Sequence, residues 1–150
     1  MTTIAHTTMV MERTYKASPE RVFRAWADAE ARARWGAPAP HIQIVYEAAD
    51  FRVGGQDVSR CIEPGTADYV ANVYYLDICE NVRIVFAENV MHGERRQSAA
   101  LISVELSPER DATRLRLTMQ IASFDDTGME AGYDQGWSAA LDNLTAELQA

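Results

Sequence analysis

The feature that most constrains this chain is its C-terminal stretch. Met129, Tyr133, Trp137, Leu141 (with Ala140), Leu144 and Leu148 recur at spacings of three and four, the signature of one apolar face on an α-helix. The pattern predicts a helix from about residue 126 to residue 148, ~35 Å long at ~1.5 Å per residue. A helix of that length crosses a whole domain, and its stripe must be covered by another layer.

The remainder of the chain supplies that layer. Ile4 to Tyr15 reads as a strand, with Met9, Met11 and Tyr15 at alternate positions. Ser18-Pro19 opens a helix: the hydroxyl caps free N–H groups and proline fits the first helical position. Val22, Phe23 and Trp26 form its apolar stripe, and Asp28 can cap a second short helix running to Trp35. Pro38 and Pro40 end that segment.

Six strand-like segments follow. Ile42, Ile44, Tyr46 and Ala48 alternate with Gln43 and Glu47, and Gly54-Gly55 makes a turn. Residues 57–62, 69–78 and 82–88 read as strands, Met91 to Arg96 as a polar loop, and 99–106 with 113–121 as a hairpin. The last strand alternates most cleanly, with Leu115, Leu117, Met119 and Ile121 against Arg114, Arg116, Thr118 and Gln120. The order β, α, α, six strands, long α predicts an α+β fold. Its seven-stranded curved antiparallel sheet wraps around the C-terminal helix, with two short helices between strands 1 and 2.

Composition narrows the function classes. At 150 residues, 47% hydrophobic and 24% charged, the chain reads as a single domain over 1–150. A net charge of −8 argues against nucleic acid and against anionic lipid as partners. No apolar run approaches the ~18 residues of a membrane span. The first ten residues lack a charged and an apolar signal region, and Cys61 and Cys79 are too few for a disulfide framework. The expectation is a reduced, cytoplasmic protein. Of its fourteen Lys and Arg, only Lys16 is lysine, a skew typical of G+C-rich bacterial genomes.

Four stretches carry a family resemblance: Arg13 to Trp26 with its Ser18-Pro19-Glu20 helix start, then Trp35, then Asp50-Phe-Arg-Val-Gly-Gly55, and finally Gly136-Trp137 with Leu141 and Leu144. Together they resemble the SRPBCC (START-like, birch-pollen-allergen) helix-grip superfamily. More narrowly, they resemble the family named for the activator of the heat-shock protein 90 ATPase, C-terminal domain. The resemblance covers nearly the whole chain. Asn72 or Val73 stands where members often carry glycine, and Asp57, Ser59 and Cys61 replace aromatics after the Gly-Gly turn.

The resemblance implies a cavity between sheet and long helix. Alternation then nominates Tyr46, Ile84, Phe86, Ile102, Val104, Leu117 and Met119 from the sheet, with Tyr133 and Trp137 from the helix. These side chains either line the cavity or pack a closed core. Gly132 and Gly136 sit inside the predicted helix, each at a cost of ~1 kcal/mol against alanine. Either the sheet approaches closely there or space is left for a ligand.

Strand 57–62 presents two faces, one with Asp57, Ser59 and Cys61, the other with Val58, Arg60 and Ile62. Only one faces inward, and the family register favours Asp57. Glu88 stands late in the fifth strand where an aromatic is expected, a second acid for the cavity or an exposed strand end. Asp50 and Arg52, two apart on one strand face, form a polar anchor at the cavity mouth or an ion pair with Arg13 as a further partner. His6, His41 and His92 are scattered without metal-ligand spacing. Asn143-Leu-Thr145 is a glycosylation sequon by spelling.

Three functions remain: a module binding a small hydrophobic or amphipathic ligand; a cyclase- or dehydratase-like enzyme using Asp57 and Glu88 with Tyr46 or Tyr133; and a protein-interaction domain of co-chaperone type. The first accounts for most of these features. No cofactor or metal is expected, and a homodimer is compatible with each reading.

Overall fold

The computed structural model describes residues 2–149. Strand β1 (Ile4–Tyr15) leads into α1 (Pro19–Ala27), where the Ser18 hydroxyl accepts from the Arg21 N–H at 3.2 Å. Asp28 ends α1 and caps α2 (Ala29–Trp35), its carboxylate accepting from the Glu30 N–H at 3.0 Å. Six hairpin-linked strands follow: β2 (Gln43–Ala48), β3 (Gln56–Ile62), β4 (Tyr69–Cys79), β5 (Arg83–His92), β6 (Arg95–Glu109) and β7 (Ala112–Phe124). The chain closes with α3 (Met129–Gln149).

The seven strands form one antiparallel sheet in the order β1-β7-β6-β5-β4-β3-β2. Bulges at Tyr46/Ala48, Tyr75/Asp77 and Val90/Met91 sit in its β2–β6 half, and bulges add bend and twist to a sheet. The curved inner face grips α3. Leu115, Leu117, Met119 and Ile121 of β7 point inward and are buried, while Arg114, Arg116 and Gln120 are exposed. Helix α3 packs on α1, α2, β1 and β7. Leu141 and Leu144 are fully buried there. The Tyr15 hydroxyl donates to the Leu141 carbonyl at 2.7 Å, and Arg21 donates to the Leu148 carbonyl at 2.7 Å. No helix among the described residues is long and apolar enough to cross a membrane.

Four local expectations change. Met91 to Arg96 is no loop: β5 runs to His92 and β6 starts at Arg95, with Gly93 turning at φ +60°. These residues are polar because the hairpin tip lies beyond the core, and cross-strand pairing carries it (His92 with Arg95, Met91 with Arg96). Helix α3 begins at Met129, later than expected, because Asp125, Asp126 and Gly128 all take positive φ. Asp50 and Arg52 stand in the turn between β2 and β3 as an exposed ion pair of 2.9 Å. Arg13 pairs instead with Asp142 of α3 at 3.1 Å. In that turn Gly55 is obligatory, since a Cβ there would lie 2.1 Å from the Asp50 carbonyl oxygen.

Candidate functional site

The sheet and α3 close on each other at one end and part at the other. Near β2–β5 and the first half of α3 they leave a cavity of about 240 Å³. A deeper recess of about 80 Å³ joins it beneath α1 and α2. Arg32, Tyr46, Ser59, Glu88 and Trp137 border both spaces and form the neck between them. A shallow depression of about 460 Å³ on the outer face is wider, but His6 is its one titratable side chain.

The two helix glycines open the outer cavity. Both line it. A Cβ on Gly136 would meet nothing within 4 Å, and one on Gly132 would touch only the Met129 sulfur at 3.8 Å. Close approach of the sheet is thereby excluded, and the glycines leave space. Aromatic side chains wall that space: Trp35, Tyr46, Tyr69, Tyr133 and Trp137. Trp137 is held by stacking on Trp26, with ring centroids 5.6 Å apart and an interplanar angle of 9°. Trp26 tilts in turn against Trp35, whose indole N–H donates to the Ala25 carbonyl at 3.0 Å.

Strand β3 turns Asp57, Ser59 and Cys61 inward. Ser59 and Cys61 line the cavity, and Asp57 lines the recess at 3% exposure. Arg60 faces out to Glu47 and Asp68. Burial pushes the Cys61 thiol pKa up, which keeps it protonated and weakly nucleophilic.

Asp57 accepts three hydrogen bonds. Its Oδ2 accepts from Arg32 Nη2 at 2.9 Å and from the Tyr75 hydroxyl, and its Oδ1 accepts from the Asp50 N–H at 3.0 Å. Arg32 also donates to the Trp26 carbonyl and, at 3.2 Å, to the Tyr46 hydroxyl. Burial works against the Arg32 charge, but Tyr46, Tyr75 and Asp57 outweigh it and raise its pKa. This is a buried ion pair with its hydrogen bonds satisfied, the arrangement in which such a pair is tolerated. These three hydrogen bonds give Asp57 a structural role and leave little of its carboxylate free to act as a general base.

Glu88 differs. It lies on the inward face of β5 with Ile84, Phe86 and Val90. It is half-buried and borders both the cavity and the recess. Desolvation pushes its pKa up to about 7, opposed only by a hydrogen bond from Tyr133. The Tyr133 hydroxyl lies 3.2 Å from the fully buried Ser98 hydroxyl, and burial pushes its own pKa upward. At the recess wall, the indole N–H of Trp26 is buried with no hydrogen-bond partner among the described residues.

The other nominated residues separate by strand. Ile84 and Phe86 border the recess. Ile102, Val104, Leu117 and Met119 border neither space and are 0% exposed. They are corrected to closed core: they stand on β6 and β7, where α1 and α3 sit directly on the sheet. His41 pairs with Glu63 at 3.0 Å, and His92 stacks on Tyr69. The Asn143 amide donates to the Ala37 carbonyl at 2.9 Å. Sequence reasoning missed Arg32, Tyr69, Tyr75 and Ser98. For Arg32 a signal existed, since it stands three residues before Trp35 on the buried face of α2.

The family model described as "Activator of Hsp90 ATPase homolog 1-like protein" matches residues 16–149. Protein Mll3558 from Rhizobium loti has 38% identity and a TM-score of 0.87, covering 97% of this chain and 99% of its own. A putative uncharacterized protein from Rhizobium leguminosarum has 32% identity and a TM-score of 0.90, covering 99% and 98%. An AHSA1-like protein from Aeromonas hydrophila shares the fold, at 20% identity and a TM-score of 0.73 over 95% and 92% of the two chains. No curated protein matches the chain. The chain belongs to the Activator of Hsp90 ATPase homolog 1-like family.

Proposed function

We propose that this protein binds a small amphipathic, ring-bearing molecule in the space between β2–β5 and the first half of α3. The observation that carries the reading is Gly136, an interior helix residue whose missing side chain leaves open cavity. Helical glycine costs stability, and here that cost keeps a wall open. The aromatic lining suits a planar apolar body, and stacked or edge contacts add to the gain from burial. The Ser59 hydroxyl and the Glu88 carboxyl offer polar contacts at the neck, and the Trp26 N–H offers one in the recess, the usual way such pockets fix orientation.

A second reading rests on Glu88. An acid whose pKa sits near 7 is matched to general acid–base work at neutral pH. Proton transfer on the bound molecule would then fall to Glu88, with Tyr133 positioning its carboxyl.

Native mass spectrometry of freshly purified protein, compared with denaturing spectra of the same sample, tests the binding reading. Extra mass that is lost on denaturation, and that is absent from Gly136→Leu, supports it. The same extra mass retained by a folded Gly136→Leu variant would place the ligand elsewhere. Turnover of the recovered molecule by the wild type but not by Glu88→Gln would favour the second reading.

A further inference from the structure

The ionised side chains bordering the two spaces are Arg32, Asp57 and Glu88. Arg32 and Asp57 neutralise each other across 2.9 Å. Glu88 has no ion-pair partner among the described residues. The elements facing it bring neutral groups or the already paired couple: Tyr46 from β2, Ser59 and Cys61 from β3, Tyr69 from β4, Ser98 from β6 and Tyr133 from α3. The site is therefore a single uncompensated carboxyl inside an aromatic enclosure. Resting on the cavity-binding reading, we infer that the ligand is an organic cation, an ammonium group carried on a ring-bearing body.

Four considerations converge on that class. A buried carboxylate without a counter-charge is costly, and an ammonium supplies the counter-charge the protein omits. The Tyr46 ring already carries the Arg32 guanidinium at 4.9 Å, and the rings of Tyr69, Tyr133 and Trp137 also line the cavity; such rings attract cations within about 6 Å of the centroid, more strongly when water is excluded. The tyrosines cannot compete as anions, because burial holds Tyr46 and Tyr133 protonated. An anionic ligand would find Arg32 already donating to Asp57, Tyr46 and the Trp26 carbonyl.

Calorimetric titration with benzylamine, benzyl alcohol and benzoate, at pH 6 and pH 8, separates this inference from the reading beneath it. The expected order is benzylamine, which stays protonated throughout, then benzyl alcohol, then benzoate. Only the carboxylate form of Glu88 pairs with the amine, so benzylamine affinity rises roughly tenfold from pH 6 to pH 8. Glu88→Gln removes that rise and the preference for the amine. Benzyl alcohol or benzoate binding as tightly as the amine would overturn the cation class and leave the cavity reading standing. Failure of all three probes to bind, or to compete with any mass found on the native protein, would overturn both.

Discussion

Two carboxyl groups face the same interior from neighbouring regions of the sheet, and they are different objects. Asp57 on β3 has a guanidinium, a tyrosine hydroxyl and a backbone N–H around it. Glu88 on β5 has a single tyrosine hydroxyl. Asp57 is buried and Glu88 half-buried, and compensation separates them further. A satisfied buried ion pair locks α2 and the β2–β3 turn to the sheet. An unsatisfied buried acid stores a cost that a proton or a ligand can relieve.

The comparison breaks most visibly at Arg32. Arg32→Met leaves Asp57 as an unpaired buried charge, with an expected loss of about 3–5 kcal/mol in urea unfolding. The double variant Arg32→Met/Asp57→Leu should recover much of that loss, because the uncompensated charge is gone. Equal losses in single and double variants would deny the pair its structural role.

Glu88 should behave oppositely. Its folded pKa, about 7, lies above the ordinary value of 4.5, so the folded state binds more protons than the unfolded state between those values. Stability therefore falls as pH rises through that window, by roughly 3 kcal/mol in all. Glu88→Gln should stabilise the protein at pH 8 by a similar amount and have little effect near pH 4.5. Unfolding midpoints across pH 4.5–8 for both proteins check the sign. Gly136→Ala should add about 1 kcal/mol from helix propensity, with no clash to oppose it, and weaken binding of ring-bearing probes. The smallest effect belongs to Arg52→Ala, since the Asp50–Arg52 pair is exposed in a turn. No measurable change in unfolding midpoint is expected.

Much of this was legible in the sequence, for reasons the two carboxyls illustrate. The α3 stripe, the Ser18 and Asp28 caps and the β7 alternation are local periodic signals, and each forms as its pattern requires. The inward turn of Asp57 followed from period-two alternation together with the family register. Alternation names a face but not a depth across the sheet. It could not separate Ile102, Val104, Leu117 and Met119, which lie under the helices, from Ser59, Cys61 and Glu88, which lie where α3 stands away. The Asp57–Arg32 partnership joins residues 25 apart through a buried arginine, and composition reads such an arginine as surface. The β5–β6 tip was misread because its pairing is carried by backbone ladders that polar side chains do not reveal.

The most direct test of the Glu88–Asp57 contrast is an NMR titration of the Glu88 side-chain carboxyl carbon. The account predicts a midpoint near 7 in the free protein, moving downward when benzylamine is added. A midpoint near the ordinary 4.5 that benzylamine leaves unchanged would mean that Glu88 is compensated or solvated, and would contradict the account.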